Sequence, residues 1–468
     1  MTIRLHDTLT GETRPFIPLE ANHARVYSCG PTVYGPAHIG NFRAFLFADL
    51  LVRYLRFSGL RVTWVMNFTD IDDRIIARAN AAGETIDELA SRWIAQFKAD
   101  AAALRMVTPD VLPRATDHID EMVAIIERLL GAGHAYRTDD GSVFFRIASW
   151  PAYGRLARLD PAQLRAGERV EADDYGKDDA RDFALWKGPK PDEPSWDTAI
   201  GPGRPGWHIE CSAMSMRHLG ESFDIHTGGV DLIFPHHEDE IAQSEAATGK
   251  PFVGTWLHNA HVRLGGEKMA RRVGNIARVA DLLAEGIDPR ALRYALLSVH
   301  YRQSLDYSEE SLAAAGAAVA RLDAVVTALA QYRENGPGDP ALQGALDEAR
   351  AAFASALDDD LNISAALGAV FELVRDLNRR IDARSLSTVD ATIALGLLRD
   401  FDVVLGLLAD APAELEPEAA ALLDARQAAR AARDWARSDA LRDELLAIGI
   451  HVEDSRDGQR WSRLDGPA

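Results

Sequence analysis

Cysteine is nearly absent: two residues in 468, Cys29 and Cys211, so a disulfide framework is excluded and a reducing, cytoplasmic setting is expected. One bridge between the two stays formally open. No leader is expected either, because the N-terminal MTIRLHDTLTGETRPF has no apolar core of signal-peptide length. No uncharged apolar run is long enough to cross a bilayer, so no membrane partner is expected. Basic excess is also lacking. A formal net charge of −20 argues against nucleic-acid binding over the whole surface, since phosphate neutralisation requires clustered Lys and Arg. Any RNA contact must be local. What is present, 47% hydrophobic and 26% charged residues, is ordinary for a packed globular protein. The length suits about three domains, or one fold carrying insertions.

Residues 25–30, RVYSCG, read as a strand that runs through the loop PTVYGPAHIG into the helical spacing of NFRAFLFADLLVRYLRFSG. A β-rich RVTWVMNFTD and a helical IDDRIIARANAAG follow, which is the opening of a parallel α/β nucleotide-binding unit. From about 134 to 205 short β-like pieces and Pro/Gly/charge-rich connections suggest an insertion. The α/β pattern then resumes with the helix candidate WHIECSAMSMRHLG, the strand FDIHTGG and the helical HHEDEIAQSEAATG. From about 276 the chain turns Ala-, Leu- and Arg-rich with helical spacing. After a Pro/Glu-rich stretch near 409–420, one amphipathic helix over 421–447 and a hairpin around Asp457–Gly458 are expected to close it.

His236 and Glu240 are four apart and share a helix face, and Cys29 and Cys211 sit where each could reach the carboxyl edge of a parallel sheet. Two thiols, an imidazole and a carboxylate would complete a zinc shell. The bland alternative is that the cysteines are small core residues and HHEDE is a solvated helix face. His38-Ile39-Gly40-Asn41 enters the first helix, where free N–H groups and the helix dipole favour phosphate, with Gly40 allowing close approach. Taken alone, those four residues are a weak signal that favours a structural loop histidine. Downstream, Lys268, Arg271 and Arg272 lie on a Gly-flanked loop that can close over a polyphosphate or simply be solvated.

Together these segments resemble the class I aminoacyl-tRNA synthetases, and specifically the cysteinyl-tRNA synthetase family. SCGPTVYGPAHIGN, VMNFTDIDDRII, PRATDHI, GWHIECSAMS, FDIHTGGVDLIFPHHEDEIAQSE, YRQSLDYSEESL and ALDDDLNISAAL look like that family's blocks in the family's order. RDWARSDALRDELLAIGIHVEDSRDGQRWSR resembles its C-terminal anticodon module. The resemblance implies an α/β, Rossmann-like class I catalytic domain over 1–255 with a connective insertion at about 115–205. It further implies a stem-contact region over 256–310 holding the KMSKS-like loop, a helical bundle that binds tRNA over 311–410, and a linker with a small α/β anticodon module over 411–468.

By the same resemblance one zinc ion would sit on Cys29, Cys211, His236 and Glu240, and Cys29, Thr69, Trp207 and His226 would surround the substrate cysteine. ATP would meet His38, Gly40, Asn41, Gly228, Asp231, Lys268 and Arg271, accompanied by magnesium, with His38, Lys268 and Arg271 stabilising charge in the reaction. The implied activity is cysteine–tRNA ligation: cysteine and ATP give the adenylate and pyrophosphate, and tRNA(Cys) takes the aminoacyl group. A monomer is expected. Arg426, Arg430, Arg433 and Arg437, spaced 4, 3 and 4 apart, would form one stripe that either faces RNA or is a solvated helix face paired with Asp434 and Asp439, and Trp461 would stack on a base or cap the module's own core. The chain departs from the family at KMARR for KMSKS, where Arg replaces a compact Lys, at HTGG for HGGG, where Thr227 resists positive φ, and at Gly35-Pro36-Ala37, smaller and stiffer than expected. Two alternatives remain: a cysteine-activating ligase of thiol-cofactor synthesis, and an inactive paralogue that binds zinc or RNA.

Overall fold

The structure, a computed structural model, describes residues 2–159, 179, 181–264, 267–268, 276–333, 336, 338–409, 416–455 and 458–463. Apolar β-branched and aromatic runs such as Val26-Tyr27 and Trp64-Val65 are buried, as suits strands covered on both faces. They build a four-stranded parallel sheet from β1 (His23–Ser28), β2 (Arg61–Met66), β3 (Phe223–Gly229) and β4 (Val253–Asn259), in the order β4-β3-β1-β2. Helix α1 (Ile39–Phe57) crosses from β1 to β2, and α2 (Asp73–Ala82) follows β2. Helices α3 (Trp207–Leu219) and α4 (Glu238–Thr248) flank β3 in sequence. The Rossmann-like α/β reading of the sequence is the observed one.

Between β2 and β3 the chain builds a separate antiparallel sheet of Ala135–Arg137, Val143–Phe145, Phe183–Lys187 and Arg204–Pro205, an insertion in the parallel fold. Val143, Phe145, Phe183, Leu185 and Trp186 join the same buried apolar cluster as Ile209 and Met214 of α3. The chain divides into two compact units, the first being Met1–Gly316, Ala352–Leu367 and Val403–Gly406, and the second Ala317–Ala351, Gly368–Asp402 and Leu407–Ala468. Helix Glu309–Ala330 has the length and apolarity of a membrane span, but its Ala315, Val319, Leu322 and Val325 are core residues, which accounts for that composition.

The last segment corrects the expected single helix over 421–447. Two helices stand there, α5 (Pro417–Ala431) and α6 (Trp435–Ala447), because Arg433 adopts a left-handed φ of 58° and Asp434 caps a new helix by accepting from Arg437 N at 3.1 Å. The four arginines therefore do not form one stripe. Arg426 is completely buried, donating to both Asp454 oxygens at 2.9 and 3.0 Å and to Gln459 Oε1 at 2.9 Å. The antiparallel hairpin Ile450–Ser455 with Gly458–Arg463 forms as expected. Trp461 packs against the module's own core of Leu423, Leu445, Ile450 and Val452, and its backbone pairs with the Gln331 amide, so it is no free stacking platform.

Candidate active site

β1 ends at Ser28, which puts Cys29 at the first position beyond the carboxyl edge of the sheet, its N–H donating to Thr227 O at 3.2 Å. Cys211 lies in the second turn of α3. Residues Ile233–His237 form a wide turn with an extended Phe234 (φ −138°), and α4 starts directly after it. His236 thus enters from the turn and Glu240 from the first turn of α4, not both from one regular helix. Sγ of Cys29 and Sγ of Cys211 are 3.8 Å apart, and His236 Nε2 is 3.1 Å from Glu240 Oε1. The four ligand atoms all fall within 4.8 Å of one another.

That donor set fits a metal ion. A tetrahedral shell with metal–sulfur bonds of about 2.3 Å has an S···S edge of ~3.8 Å. Burial, followed by the charge of Cys211, pushes the Glu240 carboxyl well above its usual range; burial likewise raises Cys29, whose hydrogen bond holds Cys211 down. Burial works to lower His236, yet Glu240 and Cys211 hold it above its usual value. A divalent cation would stabilise the charged forms of Glu240 and Cys29 that burial disfavours. All five residues of HHEDE are buried, so the solvated-face alternative fails.

Around these four stands a set of aromatic rings, of which sequence reasoning named Trp207 and His226 and missed His208, Tyr153, His237, Trp256 and His258. His236 Nδ1 faces His208 Nδ1 at 3.0 Å, and His208 Nε2 lies 3.3 Å from Asp239, which accepts from Tyr153 OH at 2.5 Å. Trp207 stacks on His236 at 4.2 Å, 13° from parallel. His237 reaches His258 through Nδ1 at 2.8 Å, and His226 stacks on Trp256 at 4.6 Å. Outer-shell contacts of this kind orient ligating imidazoles. The only trace in the sequence is histidine density around HTGG, FPHHEDE and WLHN.

A cleft of about 710 Å³ opens against Cys29, Cys211 and His236, and continues past Thr69, Trp207 and Asp231 to His38. Gly40 and Asn41 also line it. His226 does not: it lies behind, fully buried, 3.0 Å from Glu240 Oε2. Gly229 rather than Gly228 borders the cleft, and a Cβ on Gly228 would meet the His237 ring at 2.6 Å. Thr227 resolves the HTGG departure. It is a strand residue without positive φ, and its hydroxyl donates to Ser28 Oγ at 2.8 Å, so no glycine is required there.

His38 is the N-cap of α1. Its Nδ1 accepts from Asn41 N at 3.3 Å, while Asn41 Oδ1 accepts from His38 N at 3.1 Å. Accepting at Nδ1 places the proton of the neutral ring on Nε2, which becomes a donor. Lys268 belongs to a short strand, Glu267–Lys268, that pairs with Arg263, next to the cleft residue Val262. Arg271 and Arg272 lie outside the described residues. Beyond them Ala277 O accepts from Ile39 N at 2.9 Å and Arg278 bridges His38, so the described flanks of the KMARR segment meet the cleft and the start of α1.

Residues 15–317 match the family model of the class I (C) tRNA synthetase catalytic domain, 352–409 the DALR domain, and 413–461 the cysteinyl-tRNA ligase anticodon binding domain. The chain is 47% identical over 473 residues to the cysteine–tRNA ligase of Symbiobacterium thermophilum, covering 99% of this chain and 100% of that protein. It is 46% identical to that of Solibacter usitatus, with the same coverage. A solved Mycobacterium tuberculosis methionyl-tRNA synthetase bound by methionyl-adenylate superposes with a TM-score of 0.60 at 17% identity, over 89% of this chain and 96% of that one, which is a likeness of fold. By its catalytic domain and its full-length relatives, the chain belongs to the cysteine–tRNA ligase family of class I aminoacyl-tRNA synthetases.

Proposed function

We propose that this chain activates L-cysteine with ATP as cysteinyl-adenylate and transfers it to the 3′ end of tRNA(Cys) in the cytoplasm. The observation that carries the proposal is the joining of a Cys29/Cys211/His236/Glu240 donor set and a histidine-capped helix start within one cleft. A zinc ion held by those four residues would supply a soft ligand position that takes a thiolate and matches a serine hydroxyl poorly. Thr69 and Trp207 bound the space for the amino acid, and Trp207 fixes the His236 ring by stacking. His226 supports Glu240 from behind. His38 donates through Nε2 to the phosphates, where the α1 dipole also favours negative charge. Asp231 takes the ribose hydroxyls, magnesium accompanies the nucleotide, and Lys268 and Arg271 are the cations assigned to its phosphates. Positioning and charge stabilisation suffice for both steps, since the cysteine carboxylate and the ribose hydroxyl are themselves the nucleophiles.

For the anticodon we favour α6 over the expected stripe. Trp435 is 56% exposed, with the Arg430 guanidinium 5.6 Å from its ring centroid, and Arg433 and Arg437 are exposed in the same stretch of chain. An exposed aromatic ring with a cation near it suits an unstacked base. The match of 413–461 to an anticodon module disfavours the thiol-cofactor alternative. Cysteine-dependent ATP–pyrophosphate exchange, with serine as the comparison and tRNA charging as the second readout, tests the proposal. Exchange that is absent, or equal for both amino acids, would sink it.

A further inference from the structure

Cys29, Cys211 and His236 line the cleft with Glu240 behind them, and a second set of donors shares two of these four. Cys29, His226, His237 and Glu240 each offer one ligand atom, all within 4.8 Å of one another. His237 Nε2 lies 3.4 Å from Cys29 Sγ and 4.0 Å from Glu240 Oε1, and His226 Nε2 lies 3.0 Å from Glu240 Oε2. Around a tetrahedral ion an edge between thiolate and imidazole is ~3.6 Å and one between imidazole and carboxylate ~3.4 Å, given bonds of about 2.3 and 2.1 Å, so the Cys29–His237 spacing fits closely and the two Glu240 spacings lie within ~0.6 Å of the ideal. His226, His237 and Glu240 are completely buried.

The inner histidine is also oriented for the task. His237 Nδ1 is 2.8 Å from His258 Nε2, and His258 Nδ1 is 2.8 Å from Thr8 Oγ1, which turns His237 Nε2 toward Cys29. Glu240 divides its two oxygens, Oε1 lying 3.1 Å from His236 and Oε2 3.0 Å from His226. One carboxylate therefore serves both positions.

We propose a second, inner metal position formed by Cys29, His226, His237 and Glu240, which holds a divalent ion of the zinc or cobalt class when the cleft-side position loses a donor. It rests on the metal-shell reading of Cys29, Cys211, His236 and Glu240. Cys211 and His236 border the cleft, whereas His226 and His237 do not. An ion held at the inner position would have two imidazoles in place of those two donors while keeping Cys29 and Glu240. With one thiolate instead of two, the inner set is the harder one.

The full-length protein, loaded with zinc or cobalt, tests this by metal content and chelator competition. C211S and H236Q each remove only a cleft-side donor, from different elements, so a folding failure in one leaves the other decisive. Each is expected to retain about one ion per chain with at least tenfold weaker affinity, and adding H237Q to either should remove it. H237Q alone should keep its ion. In the cobalt form the sulfur-to-metal absorption of C211S should fall to about half. C211S and H236Q both empty, or C211S/H237Q binding as tightly as C211S, would overturn the inner position. An unsubstituted protein that takes up no metal would instead defeat the shell reading itself.

Discussion

Replacing Arg426 with leucine separates two roles for the terminal module most sharply. The guanidinium is fully buried and makes three charge-assisted contacts, two to Asp454 and one to Gln459, whose amide in turn holds Leu423 O at 2.5 Å. Removing one partner of a buried ion pair costs about 3–5 kcal/mol when the other stays dry. Asp454 is 31% exposed and retains Arg430 at 2.8 Å, so water and that neighbour recover part of the loss, and roughly 2–3 kcal/mol is expected. A module this small has little stability in reserve. The variant should show early proteolysis within 417–463 and loss of tRNA charging, with cysteine-dependent ATP–pyrophosphate exchange intact. Asp454 is held below the ordinary carboxylate range, by its Arg426 hydrogen bond first. Its contribution is thus present above the unfolded pKa of about 3.9 and lost as pH falls through the depressed folded value. In Arg426→Leu that acid dependence should flatten. A variant with unchanged protease resistance and only a raised KM for tRNA would refute the burial argument and restore Arg426 as an RNA contact.

Trp435→Ala should raise the KM for tRNA by about 5- to 150-fold, matching ~1–3 kcal/mol for one base stack, without moving the melting temperature; unchanged charging kinetics would clear α6 of the role. His38→Asn keeps a good helix cap but removes the Nε2 donor, so stability should hold while kcat for exchange falls about 10²–10³-fold, the cost of losing one charge-stabilising donor. A stability loss with normal turnover would make His38 purely structural. Thr227→Gly, which would recreate HGGG, should cost about 1–2 kcal/mol in thermal unfolding through lost strand propensity and a broken hydroxyl bond to Ser28, with no gain in ATP affinity; tighter ATP binding would show that the glycine was needed after all.

The α/β order was legible in the sequence because strand and helix periodicities differ and Gly punctuation falls between them: FDIHTGG forms its strand over the residues read, and WHIECSAMSMRHL its helix. The terminal helix was misjudged because the Arg spacing is helical on both sides of Ala432–Asp434. The break depends on one left-handed residue and one capping aspartate, and such local signals are weaker than a 3.6-residue period. Cys29, Cys211, His236 and Glu240 could be nominated from residue chemistry and resemblance, since thiolate, imidazole and carboxylate carry their affinities wherever they stand in the chain. That Cys29 and Cys211 lie 3.8 Å apart across 182 residues, that HHEDE is buried, and that His226 and His237 back the site are consequences of parallel strands placing distant loops at one sheet edge. Side-chain identity alone determined that these four groups have the chemistry of a metal shell. The tertiary structure decided which side chains meet, because donor spacing and burial are set by the packing of β1, α3 and α4 and by no interval in the sequence.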